Sequence, residues 1–144
     1  MPQAAFQQFD NTILDMARKK HDFLTDTYKV YLTNATPNAA THTVKADVAE
    51  IAAGNGYTAG GYAVTVDAVT QTGGVLDVST NDATITLTAA GGNIAPFRYA
   101  VLYNDTEAGD AVVSFYDYGS TVTVQEGETF DIVLPASIFT GGFA

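Results

Sequence analysis

From Thr27 to Leu134 apolar and polar residues alternate in short runs with a period of two, the signature of half-buried strands. Thr27–Thr33 is rich in β-branched and aromatic residues and stops at Asn34-Ala-Thr-Pro-Asn38. Tyr62–Val69 places Tyr62, Val64, Val66 and Ala68 on one face. Val75–Ser79 and Ala83–Thr88 bracket a turn at Thr80-Asn81-Asp82. Ile94–Tyr103 is the most apolar run, interrupted by Pro96 and Arg98. Ala111–Tyr118 puts Val112, Ser114, Tyr116 and Tyr118 opposite Val113, Phe115 and Asp117. Thr121–Val124 and Thr129–Leu134 flank a turn at Gln125–Glu128. About eight short strands with turns roughly every 8–12 residues predict an all-β antiparallel sandwich or jelly roll. Strand order is not visible in the pattern, and no βαβ alternation suggests a parallel sheet.

Two stretches depart from this period. Residues 9–24 place Phe9, Ile13, Met16, Ala17 and Lys20 at helical spacing, with Asp10 or Asn11 as a cap, so a short N-terminal amphipathic helix is expected. Residues 43–52 fit a helical turn or a strand. The loop Gly54–Gly61 demands positive φ angles. The expected organisation is an N-terminal arm with a short helix over residues 1–26, then a β-sandwich over residues 27–144. Its tail ends on Ile138, Phe139 and Phe143, which either pack on their own domain or dock on a neighbouring subunit.

The 144 residues suit one domain, and the absence of cysteine excludes disulfides, thiol chemistry and thiolate metal sites. The N-terminal MPQAAFQQFDNTILDMARKK lacks a basic region followed by an apolar run, so a secretory leader is not expected, and no window is long and apolar enough to span a membrane. The N-x-[ST] sequons at Asn34 and Asn104 read as turns. Net charge is −10. Residues 1–59 carry six acids and five bases, whereas residues 60–144 carry ten acids and only Arg98. Nucleic-acid binding, which needs cations against phosphates, is not expected.

Candidate chemistry is sparse. His21 and His42 sit in no nucleophile or metal signature. Most carboxylates fall in turns, where they read as turn chemistry. Asp117 lies on a strand, and a salt bridge to Arg98 is its expected role. Asp105, Glu107 and Asp110 surround a glycine and offer a weak calcium alternative to a plain hairpin turn, although the spacing is not that of an EF-hand. No catalytic residue, cofactor or metal ligand is assigned, and an enzyme is not expected.

The blocks Leu32–Ala40, Lys45–Gly61, Ile94–Thr106, Tyr116–Thr123 and Gly127–Phe130 resemble a family of small virion structural proteins of tailed bacteriophages. The resemblance implies a β-rich module that caps or cements an icosahedral shell, often as a trimer, made in the host cytoplasm and carried on the capsid surface. Its partners would be the major capsid protein and further copies of itself. Under this reading Phe6, Phe9, Ile138, Phe139 and Phe143 are candidate contact residues. Arg18, Lys19 and Lys20 are candidates to meet an acidic shell. A tail, baseplate or head-fibre component with a receptor- or glycan-binding sandwich is the alternative.

Overall fold

A computed structural model describes residues 6–80 and 84–142. Its elements are β1 (Gln7–Gln8), α1 (Asn11–Ala17), β2 (Tyr28–Thr33), a 3-10 turn (Lys45–Asp47), β3 (Tyr62–Val64), β4 (Ala68–Thr72), β5 (Val75–Ser79), β6 (Thr84–Thr88), β7 (Phe97–Asn104), β8 (Val112–Val122), β9 (Thr129–Val133) and β10 (Ser137–Gly142). All strand pairs are antiparallel. They form a five-stranded sheet in the order β1-β8-β7-β2-β3, a three-stranded sheet β10-β5-β4 and a ribbon β6-β9. The fold is an all-β sandwich with one short α-helix.

The main core lies between the five-stranded sheet and the two smaller ones. Tyr28, Val30, Leu32, Ala100, Leu102 and Val113 meet Val78, Leu87, Ile132, Ile138 and Phe139 there. The opposite face of the five-stranded sheet is buried as well, with Tyr31, Tyr99, Val101, Tyr103, Val112 and Phe115 under Phe9 and Val48. Burial on both faces explains why Ile94–Tyr103 is so uniformly apolar.

The loop that covers this second face is pinned by polar bonds. Glu50 accepts from Tyr57 Oη (2.6 Å) and from the Gly60 amide (2.7 Å), and pairs with Lys45 Nζ (2.9 Å). Tyr31 donates to the Val48 carbonyl and Tyr103 to the Gly60 carbonyl. Gly61 has φ +82°, and a Cβ there would stand 2.0 Å from the Val30 carbonyl oxygen. Only glycine lets the loop rejoin the sheet that close to β2.

Three details differ from the sequence pattern. Tyr62–Val69 is not one strand: residues 65–67 carry the chain from the five-stranded to the three-stranded sheet. Thr121 and Val122 continue β8 instead of starting a strand. In β8 the pairs Leu102↔Ser114 and Tyr103↔Val112 set two steps of one strand against one of the other. This bulge puts Val112 in the cluster of Phe115 and Val113 in the opposite one, reversing their expected faces. The turn at residues 80–82 lies largely outside the described residues.

Candidate functional site

The N-terminal residues do not stand apart as an arm. β1 pairs with β8, and Phe9 donates its amide to the Val113 carbonyl (3.1 Å). Phe6 packs on Tyr116 and Phe9 on Phe115, with ring centroids 5.8 and 5.0 Å apart. At the other end β10 pairs with β5, and a register shift between Ser137 and Phe139 turns both Ile138 and Phe139 into the core. Of the candidate contact residues, Phe6, Phe9, Ile138 and Phe139 are therefore core residues of their own domain, enclosed before any partner arrives. Phe143 lies outside the described residues.

The helix α1 is rotated from the expected amphipathic arrangement, although Met16 of the expected face still packs against the core. Thr12 Oγ1 donates to the carbonyls of Val112 (3.1 Å) and Val113 (3.0 Å), which fixes Thr12 inward. At about 100° per residue Asp15 follows it inward, and Ile13 and Leu14 are left 56% and 42% exposed. The helix ends after seven residues, and Lys19 takes a left-handed φ of +63°. Residues 20–26 then fold into a tight turn. The Asp22 carboxylate accepts from the Leu24 amide (3.1 Å), and Asp26 accepts from the Asp22 amide (2.9 Å). Leu24 stands at its tip, 71% exposed.

Between this turn and the β4–β5 hairpin lies an open groove of about 430 Å³, walled by Met16, Phe23, Leu24, Val69 and Leu76, with Lys19, His21 and Asp22 at its sides. Among the described residues the large apolar side chains left exposed are Ile13, Leu14, Leu24 and Val75. Leu24 lines the groove, and Ile13 lies beside Gly141, which pairs with Leu76. The cations sort just as sharply. Lys29 pairs with Asp105, Lys45 with Glu50, Arg98 with Asp117 and Lys20 with Asp15. Arg18 and Lys19, both exposed, have no ion-pair partner among the described residues. Ile13, Leu14, Leu24 and the hairpin were missed in the sequence because strand spacing hides Val75, and Ile13-Leu14 reads equally well as a buried pair.

His21 forms one wall of the groove. Its ring stacks on Phe23 at 5.5 Å, and Nδ1 lies 3.3 Å from Tyr28 Oη and 3.2 Å from Asn104 Nδ2. Burial holds its pKa below the ordinary 6.5, against the raising influence of Asp15, Asp26 and Glu107 and with a small lowering contribution from Lys20. The unfolded chain therefore takes up this proton first, so stability is complete above pH about 6.5 and falls as the pH drops below it. Asp22, Asp47 and Asp117 are held below their ordinary value by hydrogen bonds, so their contribution is lost only below pH about 4. Urea unfolding from pH about 7.5 to 5.5 is expected to show a decline that His21→Gln flattens. A decline of equal slope in His21→Gln would remove His21 as its source.

The remaining candidates are built into turns. Asp117 makes the expected bidentate pair with Arg98, at 2.9 and 3.2 Å, and accepts from the Gly119 amide (2.7 Å). Both partners are about two-fifths exposed, so solvent screens the pair and it adds little to stability. Asp105 faces Lys29 at 3.1 Å, and Glu107 accepts from the amides of Gly109 and Ala111. His42 Nδ1 accepts from the Asn38 amide. Among the described residues no three or more His, Asp or Glu side chains come together as metal ligands would. No helix of the described residues is long and apolar enough to cross a membrane. Comparison with protein-family models, with curated proteins and with solved structures finds no match to this chain.

Proposed function

We propose that the chain is a structural protein of a tailed-phage virion, a decoration or cement protein that binds the outer surface of the capsid and stabilises the mature shell. The observation that carries this reading is the corner at α1 and the β4–β5 hairpin. There exposed Leu24 and Lys19, which has no ion pair among the described residues, line one groove on a body of net charge −10. Such a corner serves binding rather than catalysis. Asp22, Asp26, Glu107 and Asp117 hold turn amides, and His21 lines the groove.

The blocks that carry the family resemblance do structural work in this chain. Lys45–Gly61 is the pinned loop over the second face of the sheet, and Ile94–Thr106 contains its central strand β7. A module of this kind acts by mass action. It stabilises the assembled lattice because it binds that state and not the dissociated subunits. Three copies meeting on a threefold position would turn a weak contact into avid binding.

The test is to add the purified protein to tailed-phage capsids stripped of their decoration and to follow co-sedimentation and shell melting. Binding with a raised shell melting temperature is the expected result, with light scattering giving a mass near three times 15.1 kDa for a trimer formed in solution. Failure to bind shells, together with binding to purified tails or fibres, would transfer the chain to the tail, baseplate or head fibre.

A further inference from the structure

We propose that the groove beside β4 docks an extended, acidic segment of a partner protein, which adds as a further strand to the free edge of β4. The inference deepens the reading above and rests on it only for what the partner is.

The edge comes first. β4 is the last strand of its sheet and is paired only with β5. Its sequence, Ala68-Val-Thr-Gln-Thr72, contains no lysine and no proline, the residues that usually guard an open edge. The hairpin is held in register from Ala68↔Ser79 to Thr72↔Val75 without a bulge, so the edge strand is already formed. A segment that pairs with it gains main-chain hydrogen bonds along its length and presents alternate side chains to one face of the sheet.

The groove supplies the pocket for those side chains. Val69 of β4 and Leu76 of β5 line it together with Met16 and Leu24. Leu24 is held out by the bonds within the 22–26 turn, so little ordering is left to be lost on binding. A segment with apolar residues at every second position would bury them here.

Charge selects the sign of that segment. Lys19 lines the groove, exposed Arg18 precedes it in the chain, and neither has an ion pair among the described residues. The Asp22 carboxylate at the rim already accepts from the Leu24 amide. Asp67 precedes β4 and Asp77 lies on β5, so the attraction comes from the Arg18–Lys19 end of the groove, while the net charge of −10 disfavours an acidic partner on the body as a whole.

The probe is a fluorescein-labelled peptide of sequence Glu-Val-Asp-Ile-Asp-Val-Glu, set against the same peptide with lysine at each acidic position. Fluorescence anisotropy with the full chain is expected to show the acidic peptide binding at least about tenfold tighter. The double variant Arg18→Glu/Lys19→Glu should reverse that order. Leu24→Asp, at an exposed tip, should weaken the acidic peptide about tenfold, and salt near 0.5 M should weaken it further. N-methylation of the central peptide residues should abolish binding, because it removes the edge hydrogen bonds and leaves the side chains intact. Equal binding of the two peptides would overturn the proposal, as would unchanged binding of the N-methylated one. A wild-type oligomer that Leu24→Asp splits would assign the corner to a second copy and overturn it too. Shell binding read in parallel separates the two claims. Undiminished shell binding by Leu24→Asp removes this docking mode and leaves the proposed function standing. A wild-type protein that takes the peptide but ignores shells removes the function and leaves the docking mode.

Discussion

Asn104→Ala is expected to lower the free energy of unfolding by about 3 kcal/mol, because one buried amide holds two loops together. Asn104 ends β7 and is fully buried. Its Oδ1 accepts from the amides of Thr106 (2.9 Å) and Glu107 (3.2 Å), which shapes the hairpin that follows. Its Nδ2 faces the Lys20 carbonyl (3.0 Å) and Asp26 Oδ2 (2.8 Å), with His21 Nδ1 and Tyr28 Oη slightly farther away. Two amide hydrogens serve these acceptors, so truncation strands groups on both sides of the site. A buried polar group left without a partner costs about 1–3 kcal/mol, and water reaches only the outer ones. The check is a urea titration in which the midpoint falls and the slope stays constant. A loss below about 1 kcal/mol would show that water replaces the amide and that the network is not cooperative. The same variant should loosen residues 20–26, so amide exchange at Leu24 should quicken before the sheet opens.

The role of Asn104 marks where sequence reading stops. As part of Asn-Asp-Thr it reads as a turn or a sequon, and nothing local shows that residues 20–28 return to it. Strands with one wet face were legible. β6 and β9 alternate cleanly, with Ile85 opposite Ile132 and exposed Thr86 opposite Asp131. So was β2, whose aromatic and β-branched residues end at the Asn34 turn. What escaped depends on partners far along the chain. The break at residues 65–67 exists because two sheets compete for one alternating run. The bulge at Val113 sets an extra residue of β8 against β7, and bulges add a residue without altering composition. The helix was legible as a helix, but its facing was set by Thr12 bonding to β8, a tertiary contact that outweighs the hydrophobic pattern. For the candidate site this left the cations visible and the apolar corner hidden. Arg18 and Lys19 are conspicuous in an acidic chain, whereas Leu24 and the β4 edge gain meaning only once the groove exists.

Phe139→Ala is expected to cost about 4 kcal/mol, the typical loss for removing a buried phenyl ring from a filled core. Two readings of the apolar tail predict different results. If the tail were made to dock on a neighbour, Phe139 would be exposed in the isolated chain and its loss nearly silent. In this fold Phe139 is 4% exposed, stacks against Phe23 with centroids 6.0 Å apart, and pairs across the sheet with fully buried Val78. Phe23 in turn stacks on Tyr28 at 5.0 Å, so the ring row runs from β10 to β2 of the five-stranded sheet. The cavity left by alanine lies beneath β10, whose pairing with β5 supports the hairpin that carries the free edge of β4. The loss should therefore appear as a lower urea midpoint and also as weaker binding at the groove. Leu24→Asp supplies the contrast, since its exposed position predicts weaker binding with stability changed by less than about 0.5 kcal/mol. A Phe139→Ala protein as stable as the wild type would mean that the tail is not part of this core, and would return Phe139 to the surface as a contact for another subunit.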